Sequence, residues 1–385
     1  MNITRILLMG ALFVLSGCDR SGDATGESVS TSSILPNGGK IVFDVISKSN
    51  TLVDFTGNFN DRGHYSMVFQ AKTEQGFLPL SGLVDESFYT MYENDLLVNE
   101  SKLRISQDSK TVSNKIMLLL DFSGSIVDDC SEVNASSSPT NLCYQIVNSS
   151  KQFIDKIITD NQTMAIYYFN SKNKIQPMWR SADSTDTTGD AVSLKASLDN
   201  LYSSTWRAEN LEGYDSTNLY GAVIDSTSVV CRWFDDCVEG VSSENVEGSQ
   251  QNYDFATIVI FTDGRHTVGD AVAKKSDMLR ILPLYARNYY YTIGLGDVDD
   301  DVLSAIGTSG YLKATQTDKL DVEFNTLGEQ LSAFSKSFYR FDYCPAQQRG
   351  VLDLRIDVND KARRFRGEIE EKIELLDGVD FRCDL

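Results

Sequence analysis

Residues 116–126, Ile116-Met117-Leu118-Leu119-Leu120-Asp121-Phe122-Ser123-Gly124-Ser125-Ile126, set the reading of this chain. The apolar run is too short for a helix and does not alternate, so it suits a strand covered on both faces, as in a parallel sheet. The Asp at its tip, with hydroxyls two and four residues on, gathers three oxygen donors in one turn, and Gly124 relaxes the backbone there. Similar short runs recur at Met164–Phe169, Thr257–Phe261 and Tyr289–Leu295. Between them, Tyr144–Thr159 places Ile146, Phe153, Ile154, Ile157 and Ile158 near helical spacing, and Asp321–Ser337 does the same with Val322, Phe324, Leu327, Leu331 and Phe334. Strands alternating with helices predict a doubly wound α/β domain with a mostly parallel sheet over 113–337. Its ligand crevice is expected beyond the carboxyl ends of the strands.

Working outward, the pattern changes on both sides. Residues 40–112 carry short strand signals such as Ile41–Val45 and Tyr65–Phe69, separated by Gly and Asn turns. Residues 338–385 return to that texture. There Leu352, Leu354, Ile356 and Val358 alternate with Val351, Asp353, Arg355 and Asp357, which predicts one apolar face. Each flank alone offers few strands, so the two are expected to complete one small β-sandwich that brackets the α/β domain.

Composition narrows the function. The 385 residues hold 35 Lys plus Arg against 55 Asp plus Glu, a net charge of −20, and no basic cluster dense enough to track phosphates. Nucleic acid is excluded as a partner on that ground. With only two histidines, His64 and His266, a three-histidine zinc site cannot be built and a histidine base has few candidates. No nucleophile–base pair is visible, so an enzyme is the least supported class. The surplus of oxygen donors suits hard cations.

The amino terminus reads as an address. Residues 1–18 combine Arg5, an apolar run from Ile6 to Leu15 too short to span a bilayer, and small residues ending at Cys18. Leu15-Ser16-Gly17-Cys18 resembles the lipobox of bacterial lipoproteins, which implies cleavage before Cys18 and its acylation; an ordinary secretory signal is the competing reading. Asp19 resembles the signal that retains enterobacterial lipoproteins at the inner membrane, facing the periplasm. Residues 19–39, rich in Ser, Gly and acids, read as a flexible tether. The other six cysteines, Cys130, Cys143, Cys231, Cys237, Cys344 and Cys383, are expected in disulfides, since export favours oxidation and no CxxC spacing supports zinc. Proximity suggests Cys130–Cys143 and Cys231–Cys237, leaving Cys344 with Cys383, although spacing alone does not fix connectivity.

Two more segments bring oxygen donors to the expected crevice: Thr262-Asp263-Gly264 after a second strand, and Thr217 in Thr217-Asn218-Leu219-Tyr220-Gly221-Ala222 at the head of a helix. In this set of donors the chain resembles the von Willebrand factor A (VWA) domain family. Asp121-x-Ser123-x-Ser125, Thr217 and Asp263 stand in the order and approximate spacing of that family's metal-ion-dependent adhesion site. The resemblance implies that Ser123 and Ser125 are direct hydroxyl ligands, that Thr217 engages when the site opens, and that Asp121 and Asp263 hold the metal largely through water. The implied ion is Mg²⁺, or another divalent cation such as Mn²⁺ or Ca²⁺, and the implied partner is a protein that offers a carboxylate. The stretch 83–94 resembles a β-sandwich segment that precedes such domains in many bacterial proteins.

Several further features carry two readings each. Asp128 and Asp129 resemble the pair that binds an adjacent Ca²⁺ in integrin β subunits, but acids at a helix start also favour the backbone dipole without an ion. The run 297–301 reads as a helix cap and lacks EF-hand spacing. His266 falls near the rim of the site and reads as a solvated loop residue; His64 has no expected chemical role. Arg232-Trp233-Phe234 is either a contact loop or aromatic packing. The expected function is therefore a membrane-anchored, metal-dependent binding protein, with a cell-envelope assembly factor whose metal only stabilises the fold as the alternative.

Overall fold

The long strands that open the fold, β1 (Gly39–Val53) and β2 (Phe59–Thr73), pair antiparallel, with register shifts between Val45 and Ser47 and between Thr51 and Val53. The structure is a computed structural model that describes residues 38–53, 59–74, 80–98, 103–107, 112–158, 162–178, 187–211, 213, 216–233, 253–269, 273–284, 288–345 and 349–375. Cys18, Cys237 and Cys383, the signal and nearly all of the tether lie outside those residues. Three shorter strands follow: β3 (Tyr89–Glu93), β4 (Leu96–Leu97) and β5 (Leu103–Gln107).

The middle of the chain then runs β6 (Val112–Asp121), α1 (Gly124–Ser131), α2 (Leu142–Ile157), β7 (Gln162–Phe169), β8 (Gln176–Pro177), α3 (Ala191–Leu198), α4 (Ser204–Asn210), α5 (Leu219–Cys231), β9 (Tyr253–Thr262), α6 (Lys275–Ile281), β10 (Asn288–Leu295), α7 (Asp300–Ile306), β11 (Gly310–Ala314) and α8 (Leu320–Ser335). It closes with β12 (Phe338–Tyr343), β13 (Gly350–Asp360) and β14 (Phe365–Leu375).

The middle segment builds a six-stranded sheet in the order β11-β10-β9-β6-β7-β8. All its neighbours are parallel except the edge strand β8, which is antiparallel to β7, so the sheet is mixed. Each central strand feeds two cores. Ile116, Leu118 and Leu120 of β6 pack with Phe153 of α2, Leu194 of α3 and Phe324 of α8, while Met117 and Leu119 pack with Val223 of α5, Met278 of α6 and Val302 of α7. Helices on both faces explain the unbroken apolar runs, since every residue of such a strand meets a covered side. One expected core position fails: Val322 of α8 is exposed. Trp233 is buried against the α5 side of the sheet, so the Arg232-Trp233 turn packs inward.

The flanking strands form an eight-stranded sheet, β4-β3-β13-β14-β1-β2-β12-β5. Strands from before and after the middle segment therefore alternate within one sheet. β1 joins its two halves: it pairs with β2 along its length but meets β14 only at Gly39 with Phe365 and Lys40 with Arg366. Gly367 permits the crossing, because a Cβ there would lie 2.8 Å from the Ile41 Cβ. Leu352, Leu354, Ile356 and Val358 of β13 turn inward and share one apolar cluster with Met67 and Phe69 of β2 and with Phe341 of β12.

Candidate metal centre

β6 has β7 on one side and β9 on the other, so the direction in which the chain adds strands reverses at β6. Such a reversal leaves a crevice at the carboxyl ends of the two strands. Asp121 is the last residue of β6, and Asp263 directly follows β9. Asp121 is fully buried and doubly held: the Ser123 N–H donates to its Oδ1 at 3.0 Å and the Thr262 hydroxyl to its Oδ2 at 2.6 Å. The Ser125 hydroxyl donates to Asp263 Oδ2 at 2.6 Å. The other oxygen, Asp263 Oδ1, is buried with no hydrogen-bond partner. Ser123 flanks α1 but makes no capping bond with its side chain, so its hydroxyl is not committed to the helix.

Thr217 reaches the same edge from the segment ahead of α5. Asn218 caps that helix, accepting from the Gly221 N–H at 3.1 Å, and its own N–H donates to the Asn170 carbonyl just past β7 at 2.9 Å. The Thr217 hydroxyl lies against Gly264, where a Cβ would sit 3.3 Å from it. All five residues read from the motif thus stand at one sheet edge.

Electrostatics describe a site short of positive charge. Burial, and next the Asp263 charge, push Asp121 up to about 7. Asp263 is also raised by burial, against the pull of the Ser125 hydrogen bond. Among the described residues, no basic side chain is among the charges acting on either carboxyl. Two carboxyls, one of them with an orphaned oxygen, and three hydroxyls form a donor set that fits a hard divalent cation. Among the described residues, no three His, Cys, Asp or Glu side chains gather into a metal cluster, at this edge or elsewhere.

Around this edge, Asp128 and Asp129 fall in the second half of α1, with no acid in its first turn, so favourable interaction with the amino-terminal dipole does not account for them. Asp129 is raised by burial and then by the charges of Glu132, Asp263 and Asp128. His266 is not simply solvated: it stacks on Tyr220 at 3.9 Å between centroids, and its Nδ1 accepts from the Tyr220 N–H at 3.4 Å. His64 lies in the eight-stranded sheet, 3.2 Å from Asp342. Asp299 caps α7 by accepting from the Val302 N–H at 3.1 Å. Cys130 and Cys143 form a disulfide with a Cα–Cα distance of 5.0 Å. Cys231 and Cys344 are also disulfide-bonded.

Sequence reasoning gave no role to Thr262, Asn170 or Thr267. Thr262 had a signal, since it directly precedes Asp263 at a strand tip. The other two act on backbone groups distant in sequence, which no spacing displays.

No protein-family model matches the chain, and no curated protein does. Solved structures that resemble it include the ArnB paralog VWA2 from Sulfolobus acidocaldarius, at 14% identity over 88% of this chain and 77% of that one, with a TM-score of 0.38. The conserved hypothetical protein BatB from Bacteroides thetaiotaomicron matches at 14% identity over 58% of this chain and 100% of its own, with a TM-score of 0.37. An aerotolerance-related membrane protein from Bacteroides fragilis NCTC 9343 matches at 15% identity over 57% and 100%, with a TM-score of 0.33. At these TM-scores the likeness carries no argument, and the α/β architecture rests on the strand order and helix placement of this chain itself.

Proposed function

We propose that this chain is a binding protein tethered to a bacterial envelope membrane through Cys18, and that it uses a Mg²⁺ ion to capture an acidic side chain of a protein partner. Mn²⁺ or Ca²⁺ would serve the same donors. Ser123, Ser125 and Thr217 would supply hydroxyl ligands, and Asp121 and Asp263 would hold the ion through water. The observation that carries the reading is Asp263 Oδ1, a buried carboxylate oxygen without a partner, on a carboxyl that Ser125 holds by its other oxygen and that lies near a second buried carboxyl, Asp121. Only two acids contribute to the shell, so a bound divalent cation keeps an appetite for a further anionic oxygen, which a partner's carboxylate satisfies.

Among the described residues no helix is long and apolar enough to cross a membrane, and the anchor at Cys18 is read from the sequence of residues 1–18. The deciding experiment is affinity purification from native membranes in Mg²⁺ and in chelator, with the wild-type chain and Asp121→Ala. Partner recovery should fall to background with chelator and with the variant. Recovery indifferent to both, with melting temperature still raised by Mg²⁺, would point to a metal that stabilises the fold and no more.

A further inference from the structure

Thr267 reaches Thr217 twice. Its hydroxyl accepts from the Thr217 N–H at 2.8 Å, and its own N–H donates to the Thr217 carbonyl at 2.9 Å. The next residue, Val268, also points its N–H at that carbonyl, at 3.4 Å. The Thr267 side chain therefore stands in for a backbone carbonyl and closes a two-way bridge between the segment after β9 and the segment ahead of α5. Regular sheet pairing does not supply this link, because β9 is committed along its length to β6 and β10.

The bridge lies four residues past Asp263, and Gly264 between them abuts the Thr217 hydroxyl. The loop 263–268 thus touches Thr217 at its hydroxyl, its N–H and its carbonyl. Thr217 is buried, so its N–H has no easy recourse to water if the Thr267 hydroxyl is removed. Thr267 itself is exposed, so little apolar packing depends on it.

We propose that Thr267 is a positioning residue of the metal centre: it fixes the Thr217 hydroxyl at a set offset from the Asp263 carboxylate, so that donors from two separate elements meet the ion as one unit. This inference rests on the metal reading above and extends it beyond the five motif residues. Its consequence is that the hydroxyl of residue 267, which need not touch the ion, governs how well the ion is held.

The test is Mg²⁺ titration calorimetry on the full chain, with melting curves in Mg²⁺ and in chelator, for wild type, Thr267→Val and Thr267→Ser. Valine keeps the shape and removes the acceptor; serine keeps the acceptor and removes the methyl. Thr267→Val should bind Mg²⁺ roughly tenfold more weakly, the scale of one lost hydrogen bond, and should show a smaller Mg²⁺-induced rise in melting temperature. Thr267→Ser should stay within about twofold of wild type, because it restores the same bond. Wild-type affinity in Thr267→Val would overturn the inference alone, as would equal weakening in Val and Ser, or a lower melting temperature in chelator with Mg²⁺ affinity intact. A wild-type chain that takes up no Mg²⁺ would overturn the metal reading and this inference with it.

Discussion

Asp121 concentrates the energetic problem of the site in one side chain. Its carboxyl, fully buried beside Asp263, titrates at about 7 in the metal-free protein, against 3.8 for an unperturbed Asp. The folded state therefore binds the proton more tightly than the unfolded state, so metal-free stability should fall as pH rises from about 4 to about 7 and stay low above that. A rise of this size corresponds to on the order of 4 kcal/mol at most. A divalent cation reverses the sign locally, because it favours the ionised pair that burial opposes. Melting temperature in chelator should thus drop between pH 5 and pH 8, while the Mg²⁺-induced rise grows; Asp121→Asn should flatten the first trend and erase the second. A Mg²⁺ increment equal at both pH values would contradict this account. At this scale the motif residues were legible because each sits at a strand tip or helix head, places that periodicity locates. Thr267 and Asn170 were not, because they act through the backbone of residues some fifty positions away.

Among the elements, α1 is the one that needs help. It has eight residues, too few to be stable alone, and it places Asp128 and Asp129 in the half where the helix dipole disfavours acids. Yet its first turn delivers Ser125, and Ser123 sits just before it. The Cys130–Cys143 disulfide ties the end of α1 to the start of α2, and the Asn141 side-chain amide donates to the Asp129 carbonyl and to Glu132 Oε2, both at 2.9 Å. Replacing both cysteines by serine should cost about 3 kcal/mol, the scale for a loop of this size, and should also weaken Mg²⁺ binding as α1 frays. Urea denaturation and calorimetry on the double variant would check both, and an unchanged midpoint would show that the bridge is ornamental to the site. The sequence made the central strands readable because helices bury both of their faces. β8 and β11 left no such mark: one is two residues long, and the other is a half-buried edge strand. Val322 shows the converse error, an apolar residue at helical spacing that the actual face of α8 leaves in solvent.

For the molecule as a whole, the decisive contacts lie where the two sheets meet. Val68 of β2, Phe255 of β9, Phe334 of α8 and Phe338 of β12 form a separate buried cluster, with Ile46 of β1 and Tyr289 of β10 packed against it. The Phe338 ring lies 5.1 Å between centroids from both Phe255, tilted, and Phe334, edge to face. Beside it the β2–β12 pairing continues through Ser337: the Ala71 N–H donates to the Ser337 carbonyl at 2.9 Å and the Gln70 amide to the Ser337 hydroxyl at 3.0 Å. No pattern in the chain announced this cluster, because its members come from six elements, although Phe334 falls on the helical spacing of α8. Its position suggests what it does for cooperativity. Each sheet has its own core, so without the aromatic seam the two would be free to melt independently. Truncating a buried Phe typically costs about 3–5 kcal/mol, most of which here would fall on the junction and not on either core. Wild-type protein should therefore unfold in one calorimetric transition, and Phe338→Ala in two. Added Mg²⁺ should raise only the transition that belongs to the six-stranded sheet, since the candidate ligands all lie there. A single transition retained in Phe338→Ala, merely shifted to lower temperature, would mean that the two chain crossings between the sheets suffice to couple them.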